Sequence, residues 1–394
     1  MALPNLVLTN PTMYFPLGNL YLAAMAKMAG FSVEIVDMRA GEKKLPPARF
    51  YGFSCTTPEI QAAKKLARKV KGKTIVGGAH PTLLPDDCLK DFDYVVRGEG
   101  EYALIDILKG NQHTQLRNTD RILNLDLLPY PAWDMVEHPF SEELFPGERY
   151  GKGQKAMTVL CSRGCPFSCS FCGNAMRIPV IYRSVPNIIG ELVALKLRGV
   201  GHIRFEDDNF TNHPEFIRLC IELGEMDIKW KCHTRSQLVK PTQMELMKAA
   251  GCEEVGVGVE SADDRVLAIN NKKETRDDHA RAVRIIHQAG LRAKTYMIAG
   301  LPGETDNTFK ANQEFFKEVK PDKWTLATFT PYPGCDVYNS PEKYGITIID
   351  TNFNHWWNFT EGHFVHKLNS ESQGKTWLRY KRLYQWLVKE EWKC

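Results

Sequence analysis

The sequence contains no apolar run approaching the roughly 20 residues that a membrane-spanning helix requires. Also missing is a basic stretch ahead of the first apolar residues. Met1-Ala-Leu-Pro-Asn-Leu-Val-Leu-Thr-Asn-Pro breaks its short apolar run with polar side chains, so a secretory signal is not expected. Charge of one sign is scarce: a net +4 over 394 residues predicts neither a nucleic-acid coat nor a membrane-surface protein. No repeat or low-complexity tract occurs, which excludes solenoid and fibrous architectures. What remains, 43% hydrophobic and 25% charged residues, is the composition of a globular protein long enough for two domains and an appendage. The cytoplasm is the expected compartment, with no membrane partner.

Cysteine, by contrast, occurs eleven times. Cys55, Cys88, Cys220, Cys232, Cys252, Cys335 and Cys394 are scattered, and without a secretory signal they read as reduced thiols, mostly buried as small hydrophobes. Cys335 follows the turn Pro331-Tyr-Pro-Gly and has a reaction cavity as its alternative setting; packing is the expected role. The other four stand in Cys161-Ser-Arg-Gly-Cys165-Pro-Phe-Ser-Cys169-Ser-Phe-Cys172. Three thiolates so close on one loop suit an iron–sulfur cluster better than disulfides. Such clusters are usually closed by four cysteines, so three leave one iron for a substrate or cofactor. Adding Cys161 keeps a structural zinc site as an alternative, although zinc modules generally draw two ligand pairs from separated turns.

From Asn5 to about Gly110, short β-rich runs (Leu6-Val-Leu, Val33-Glu-Ile-Val, Phe50-Tyr-Gly-Phe-Ser, Thr74-Ile-Val, Tyr94-Val-Val) alternate with helical stretches. This predicts a Rossmann-like, doubly wound parallel sheet with ligands beyond the carboxyl ends of its strands. Gly41 and Pro46-Pro47 leave little room for a helix between Asp37 and Phe50, so that side of the sheet is expected to be trimmed. Around Asn111 to Gly153 the pattern weakens, with Pro129, Pro131, Pro139 and Pro146 interrupting it. A second series then follows: Met157-Thr-Val-Leu, His202-Ile-Arg-Phe, Lys229-Trp-Lys-Cys-His, Glu254-Val-Gly-Val-Gly-Val, Lys294-Thr-Tyr-Met-Ile and Trp324-Thr-Leu-Ala-Thr-Phe. Six strands suggest a partial (β/α)6 barrel, and the cysteine loop follows the first of them, at the end where such barrels gather reactive residues. The expected division is therefore α/β throughout: a sheet domain at 1–126, a linker at 127–152, a partial barrel at 153–345 and a small, mainly helical extension at 346–394. In the extension, Trp377, Tyr380, Tyr384, Leu387 and Val388 fall at helical spacing, predicting an amphipathic helix over Lys375 to Trp392 that docks on the barrel.

The Cys-x3-Cys-x2-Cys spacing, with Phe171 before the last cysteine, resembles the radical S-adenosylmethionine (SAM) superfamily, in which SAM chelates the open iron of a [4Fe–4S] cluster. The resemblance covers nearly the whole chain, the first half being similar to the cobalamin (B12)-binding-type domain that precedes many such enzymes. It implies cluster ligation by Cys165, Cys169 and Cys172. For SAM it implies the ammonium at Asp207 in Phe205-Glu-Asp-Asp-Asn-Phe and the carboxylate at Arg235. It further implies ribose and methionine contacts at Glu260 and Ser261, and adenine contacts at Ile298, Gly300, Pro302 and Gly303 in Ile298-Ala-Gly-Leu-Pro-Gly-Glu, with Phe171 beside the base. In the first domain, Pro16-Leu-Gly18, Ser54-Cys-Thr-Thr57-Pro-Glu, Gly77-Gly78-Ala-His80 and Val96-Arg-Gly98-Glu-Gly-Glu match in order. They imply cobalamin contacts at Gly18, Thr57, Gly77, Gly78 and Gly98, where glycines let backbone approach a large planar ligand. The Asp-x-His-x-x-Gly motif that brings a histidine to cobalt is absent, and Asn10-Pro-Thr-Met-Tyr-Phe-Pro stands in its place. Cobalamin would then bind without a protein histidine, or not at all. His80, the only nearby imidazole, reads as a satisfied loop histidine.

The implied reaction is reductive cleavage of SAM to methionine and a 5′-deoxyadenosyl radical that takes hydrogen from a substrate, expected to be a small molecule, followed by cobalamin-dependent methyl transfer to carbon. A reductase, flavodoxin or ferredoxin would supply electrons. The alternatives are a cobalamin-independent rearrangement, cyclisation or oxidation; tRNA modification, with the basic C-terminal helix on nucleic acid; and a non-catalytic Fe–S or zinc module. Trp356 and Trp357 either line the substrate pocket or seal the barrel, and sealing is expected of such large apolar side chains.

Overall fold

Leu6–Asn10 (β1) is buried at every residue, as a parallel strand covered on both faces must be, and the chain accordingly spends apolar side chains there without alternation. The computed structural model describes residues 4–10, 17–38, 41, 43–135, 143–145, 148–149, 155–173, 177–358 and 363–390. It falls into two units, 1–148 with Asn352–Asn354, and Arg149–Thr351 with His355–Cys394. Within the interval 127–152, the stretches 136–142, 146–147 and 150–152 lie outside the described residues, together with Pro16, Trp392 and Cys394.

The first unit is a parallel sheet of six strands in the order β2-β1-β3-β4-β5-β6. After β1 come β2 (Val33–Asp37), β3 (Phe50–Ser54), β4 (Lys73–Gly77), β5 (Tyr94–Arg97) and β6 (Leu116–Asn118). The order reverses between β1 and β3, which makes the mouth above those two strands the place where a doubly wound sheet receives a ligand. One face packs Val7, Tyr51, Phe53, Val76 and Val95 against Ile60 and Ala63 of the helix Ile60–Ala67. The other packs Leu6, Leu8, Ile75 and Val96 against Ala23 and Ala26 of Leu17–Met28 and Leu104 and Ile107 of Glu101–Lys109. Among the described residues between β2 and β3 there is no helix. β6 is a strand that periodicity does not reveal: only Leu-Arg-Asn, half-buried at the sheet edge, pairs with β5. Beyond it Ala132 joins the core, and its N–H donates to Leu20 O at 3.1 Å.

The second unit is built on a parallel sheet in strictly sequential order, from β7 (Lys155–Val159) through β8 (Val200–Phe205), β9 (Lys229–Thr234), β10 (Cys252–Glu260) and β11 (Arg292–Ala299) to β12 (Lys323–Thr328). Right-handed crossovers without a reversal put all the connecting helices on one face, so the twisted sheet curls into a half-barrel with its other face free to line a cavity. The helices start where the sequence supplies caps. Ser184 accepts from Asn187 N ahead of Val185–Leu197, Thr275 forms a capping box with Asp278 ahead of Arg276–Gln288, and Thr305 accepts from Asn307 N ahead of Asp306–Val319.

A two-stranded antiparallel pair, β13 (Ile346–Ile348) and β14 (His366–Leu368), follows, and then the helix Gln373–Lys389, capped by Ser372. Its inward face differs in phase from the aromatic stripe expected. Thr376, Arg379, Tyr380, Leu383 and Leu387 are buried, while Trp377 and Val388 are 41% and 50% exposed. The polar partners of Arg379, described below, draw a cation inward and turn the helix away from the purely apolar phase. Docking is nonetheless apolar at its end: the rings of Trp386 and Phe316 lie 6.4 Å apart and those of Tyr384 and Trp324 5.8 Å apart. Among the described residues, no helix is long and apolar enough to cross a membrane.

Candidate active site

Every motif singled out in the second unit stands at the carboxyl end of a half-barrel strand. The cysteine loop leaves β7, Asp207 and Asn209 follow β8, Arg235 follows β9, Glu260 closes β10, and Gly300 to Glu304 follow β11. Parallel strands put these ends on one rim, so residues far apart in sequence share one mouth.

Asp207 fixes where the loop begins. It is 2% exposed, and its carboxylate accepts from Cys161 N at 3.0 and 3.1 Å and from Ser162 Oγ at 2.5 Å. Burial raises its pKa to about 6 against the hydrogen bonds that hold it down. Its two oxygens are thus spent on the root of the cysteine loop; the exposed carboxylate of this turn is Asp208. Asn209 reaches the loop itself, Nδ2 donating to Cys165 Sγ at 3.2 Å.

Arg235 lies beneath the middle cysteine. Its Nη1 donates to Cys169 Sγ at 3.1 Å, its Nη2 pairs with Glu274 Oε2 at 3.1 Å and donates to Lys272 O, and its guanidinium sits 4.0 Å over the Phe167 ring. Lys272 Nζ in turn meets Glu260 Oε1 at 3.0 Å and Glu274 Oε2 at 3.4 Å. Arg235, Lys272, Glu260 and Glu274 form a charge-balanced quartet in which Glu274 is fully buried and Lys272 and Arg235 nearly so. Burial opposes the charge on Lys272, but Glu260 and Glu274 hold its pKa above the ordinary value. Glu260 is held at φ +63°, a left-handed conformation that non-glycine residues rarely adopt and that concentrates at functional sites. Ser261 is completely buried, its Oγ accepting from Asp263 N at 3.2 Å.

The turn after β11 is tied to the cysteine loop by Asn270. Ser170 N donates to Asn270 O at 3.0 Å, and Asn270 Nδ2 donates to Pro302 O at 2.9 Å. Asn271 Nδ2 adds a bond to Ser168 O at 2.6 Å. Phe171 and Ile298 pack at the edge of a buried cluster containing Leu301, Phe329, Cys335 and Leu368, so the aromatic before the last cysteine and the glycine-proline turn share one apolar wall. Gly303 O accepts from Arg265 Nη2. Cys335 is buried and caps a short helix by accepting from Tyr338 N at 3.3 Å, which is packing rather than chemistry. Trp356 is buried and Trp357 half-buried. Trp356 Nε1 donates to Asp350 O, and its own carbonyl accepts from Tyr332 OH at 2.7 Å, which ties its segment to the turn after β12.

Asn209, Asn270, Lys272 and Glu274 were not found from the sequence. Asn270-Asn-Lys-Lys-Glu274 follows a helix rather than a strand and reads as an ordinary solvated loop; burial alone reveals its role. Among the described residues, the groups of three potential ligands with all donor atoms within 4.8 Å of one another are His80, Asp87 and Cys88, and Asp350, His355 and His363. The cysteine trio is not among them. At least one of its sulfur separations therefore exceeds 4.8 Å, wider than the roughly 3.8 Å that Zn–S bonds of about 2.3 Å impose on a tetrahedral ion.

In the first unit, Gly77 closes β4, Thr57, Gly78 and Gly98 follow strand ends, and Gly18 stands in the first turn of the helix after β1; the glycines are there for different reasons. A Cβ on Gly78 would lie 2.7 Å from Cys55 O, and one on Gly98 would strike Thr119; both have positive φ. These two glycines are demanded by the chain itself. A Cβ on Gly18 or Gly77 would meet nothing nearer than Ser54 Oγ at 3.7 Å or Val96 Cβ at 3.8 Å, ordinary van der Waals contact, so the packing of the chain itself does not demand these two glycines. Thr57 Oγ1 is taken by His80 Nδ1 at 3.3 Å, and His80 Nε2 meets Asp87 Oδ2 at 3.0 Å. Both ring nitrogens of the fully buried His80 are therefore engaged within the protein.

A cysteine loop at the mouth of a parallel half-barrel, with N–H donors aimed at two of its sulfurs and a charge-balanced base, defines an iron–sulfur α/β enzyme. Residues 159–316 match the Radical SAM superfamily model and residues 6–108 the B12 binding domain model, and the chain belongs to the radical SAM superfamily with a B12-binding domain ahead of the barrel. It is 31% identical to the uncharacterized methyltransferase PH0819 of Pyrococcus horikoshii, over 81% of this chain and 76% of that protein. It is 27% identical to the bacteriochlorophyllide d C-12(1)-methyltransferase of Chlorobaculum tepidum, over 80% of this chain and 71% of that one. The structure of the radical SAM methyltransferase TsrM of Kitasatospora setae, solved with cobalamin and a [4Fe–4S] cluster, superposes with a TM-score of 0.68 at 16% identity over 97% of this chain and 82% of that chain, a likeness of fold.

Proposed function

We propose that this chain is a cobalamin-dependent radical SAM methyltransferase that places a methyl group on carbon of a small-molecule substrate, with an external reductant. The observation that carries this reading is the joining, on one chain, of a B12-type sheet to a half-barrel whose three-cysteine loop is underlain by sulfur-directed donors. The methyltransferases among its relatives support the same reaction class.

The residues present fit each group. Cys165, Cys169 and Cys172 supply soft thiolates to a [4Fe–4S] cluster and leave one iron open. Phe171, Ile298, Gly300, Pro302 and Gly303 would hold the adenine of SAM, and Glu260 and Ser261 would lie toward its ribose. Because Asp207 and Arg235 are engaged by the loop root and by Cys169, they act on the cluster side: Asp207 positions the loop and Arg235 places positive charge against a ligand sulfur. Gly18 and Gly77, which the packing of the chain itself does not demand, would let backbone approach a planar corrinoid, and with both nitrogens of His80 engaged, cobalamin would be held without a histidine from this loop. When bound, the cluster and SAM supply reductive cleavage of a sulfonium C–S bond, and cobalamin supplies a methyl donor. The chain itself would exclude water, through the wall of Phe171, Leu301 and Phe329, and fix the orientation of its cofactors.

The test is anaerobic reconstitution with iron, sulfide and cobalamin, followed by incubation with methyl-deuterated SAM, a reductant and candidate substrates. Bound cobalt and a deuterated methyl group on product carbon are expected. Equimolar methionine and 5′-deoxyadenosine without bound cobalt or methyl transfer would reject the methyltransferase reading.

A further inference from the structure

The C-terminal extension is packed directly onto the turn that follows β11. His366, on β14, is 1% exposed, and its Nε2 lies 2.8 Å from Gly300 O. A carbonyl accepts only, so Nε2 carries the proton; burial lowers the pKa of this imidazole to about 4, which leaves it neutral and fixes that tautomer. Phe364 covers the same glycine, at φ +85°, so closely that a Cβ there would lie 2.5 Å from its ring. Two turns into the terminal helix, Arg379 reaches Glu304 at 3.5 Å while holding Glu371 with both Nη2 contacts at 2.6 and 2.7 Å. Glu304 in turn accepts from Leu301 N at 3.3 Å. Leu368 and Ile346 complete the apolar cluster that Phe171 and Ile298 border.

Each end of the Gly300–Glu304 turn is thus held from outside the barrel, one by a hydrogen bond and a ring, the other by a buried ion pair. An isolated strand-to-helix turn of this kind has few interactions of its own, and its geometry is set by what is packed on it. We propose that the hairpin and helix of the C-terminal extension form a clasp that sets the nucleobase end of the SAM site, with His366 and Arg379 as its positioning residues. The proposal rests on the reading above that this turn receives adenine. The clasp acts on the nucleoside half of the cofactor and leaves the amino acid half, which meets the cluster, untouched. Its loss therefore weakens ligands that carry adenosine and spares those that do not.

The test uses full-length, anaerobically reconstituted protein and compares Arg379→Gln and His366→Asn with the parent. S-adenosylhomocysteine and SAM affinities are measured by equilibrium dialysis, and methionine binding by its perturbation of the reduced-cluster EPR spectrum. Lys381→Ala, on the exposed side of the same helix, is the control. Each clasp variant is expected to raise the dissociation constants of both adenosyl ligands at least about tenfold, with parental iron content and an unchanged methionine response, while Lys381→Ala matches the parent. Unchanged adenosyl affinity in an iron-replete variant would overturn the proposal, as would equal weakening of methionine. Should Arg379→Gln fail to retain iron, His366→Asn decides on the same criteria, and Arg379→Lys recovering the adenosyl affinities would add the charge requirement. A parent protein that binds no SAM would instead reject the underlying reading.

Discussion

Arg235 Nη1 stands 3.1 Å from Cys169 Sγ, a charge-assisted donor on a sulfur proposed above as an iron ligand. A positive donor withdraws charge from the ligand and stabilises the extra electron of the reduced cluster, which raises the reduction potential. A hydrogen bond to a charged partner contributes about 1.5–3 kcal/mol, equivalent to about 65–130 mV for one electron. Arg235→Gln, which also leaves Glu260 and Glu274 in excess over Lys272, is expected to lower the cluster potential by about that amount in an EPR-monitored redox titration, and Arg235→Lys by less.

The ligand assignment separates two neighbouring cysteines. Cys169→Ala removes a proposed ligand and is expected to cut iron to well under half of parental content and abolish SAM cleavage. Cys161, 1% exposed and with its thiol pKa pushed well up by burial, behaves as a core residue at the loop root. Cys161→Ala is expected to keep the iron and most of the activity. Iron analysis and 5′-deoxyadenosine yield, measured together, check both, and equal loss in the two variants would contradict the assignment.

Asp207→Asn keeps the shape but turns a charged acceptor for Cys161 N and Ser162 Oγ into a neutral amide. The loop root is expected to lose about 1.5–3 kcal/mol of anchoring. The measurable outcome is faster bleaching of the cluster absorbance by a chelator, with the thermal stability of the first unit unaffected.

Acidity should act on His366. Its folded pKa near 4 lies below the ordinary 6.5, so between these values the unfolded chain binds a proton that the folded chain refuses. Stability from this group is therefore complete above about pH 6.5 and lost as pH falls toward 4, by up to about 3 kcal/mol. Glu304, raised to about 7 by burial, has the opposite sign and loses stability as pH rises from about 4.5 to 7. The two slopes offset each other in the parent protein. His366→Asn removes one of them, so urea unfolding of the variant is expected to show stability falling more steeply with rising pH across this window than the parent does.

The sheets were legible because their strands are short, β-rich and spaced by helices; the cysteine loop was legible because metal chemistry fixes its spacing. β6 escaped because three residues, Leu-Arg-Asn, carry no period. The inward phase of the terminal helix escaped because Arg379 takes its place through Glu371 and Glu304, which lie 8 and 75 positions away. The roles of Asp207 and Arg235 depend on which partner each side chain faces, and a strand-end motif names the residue without naming that partner. Gly78 and Gly98 were equally ambiguous until Cys55 and Thr119 appeared beside them.

On the proposed assignment three sulfurs, not four, hold the cluster and one iron is free to take SAM. Its most direct test is electron–nuclear double resonance on the reduced, reconstituted protein with SAM labelled with nitrogen-15 at the amino group and oxygen-17 at the carboxylate. Couplings from both labels are expected, lost in Cys169→Ala and retained in Cys161→Ala. A fully assembled cluster that shows neither coupling, with a fourth cysteine on the remaining iron, would contradict it.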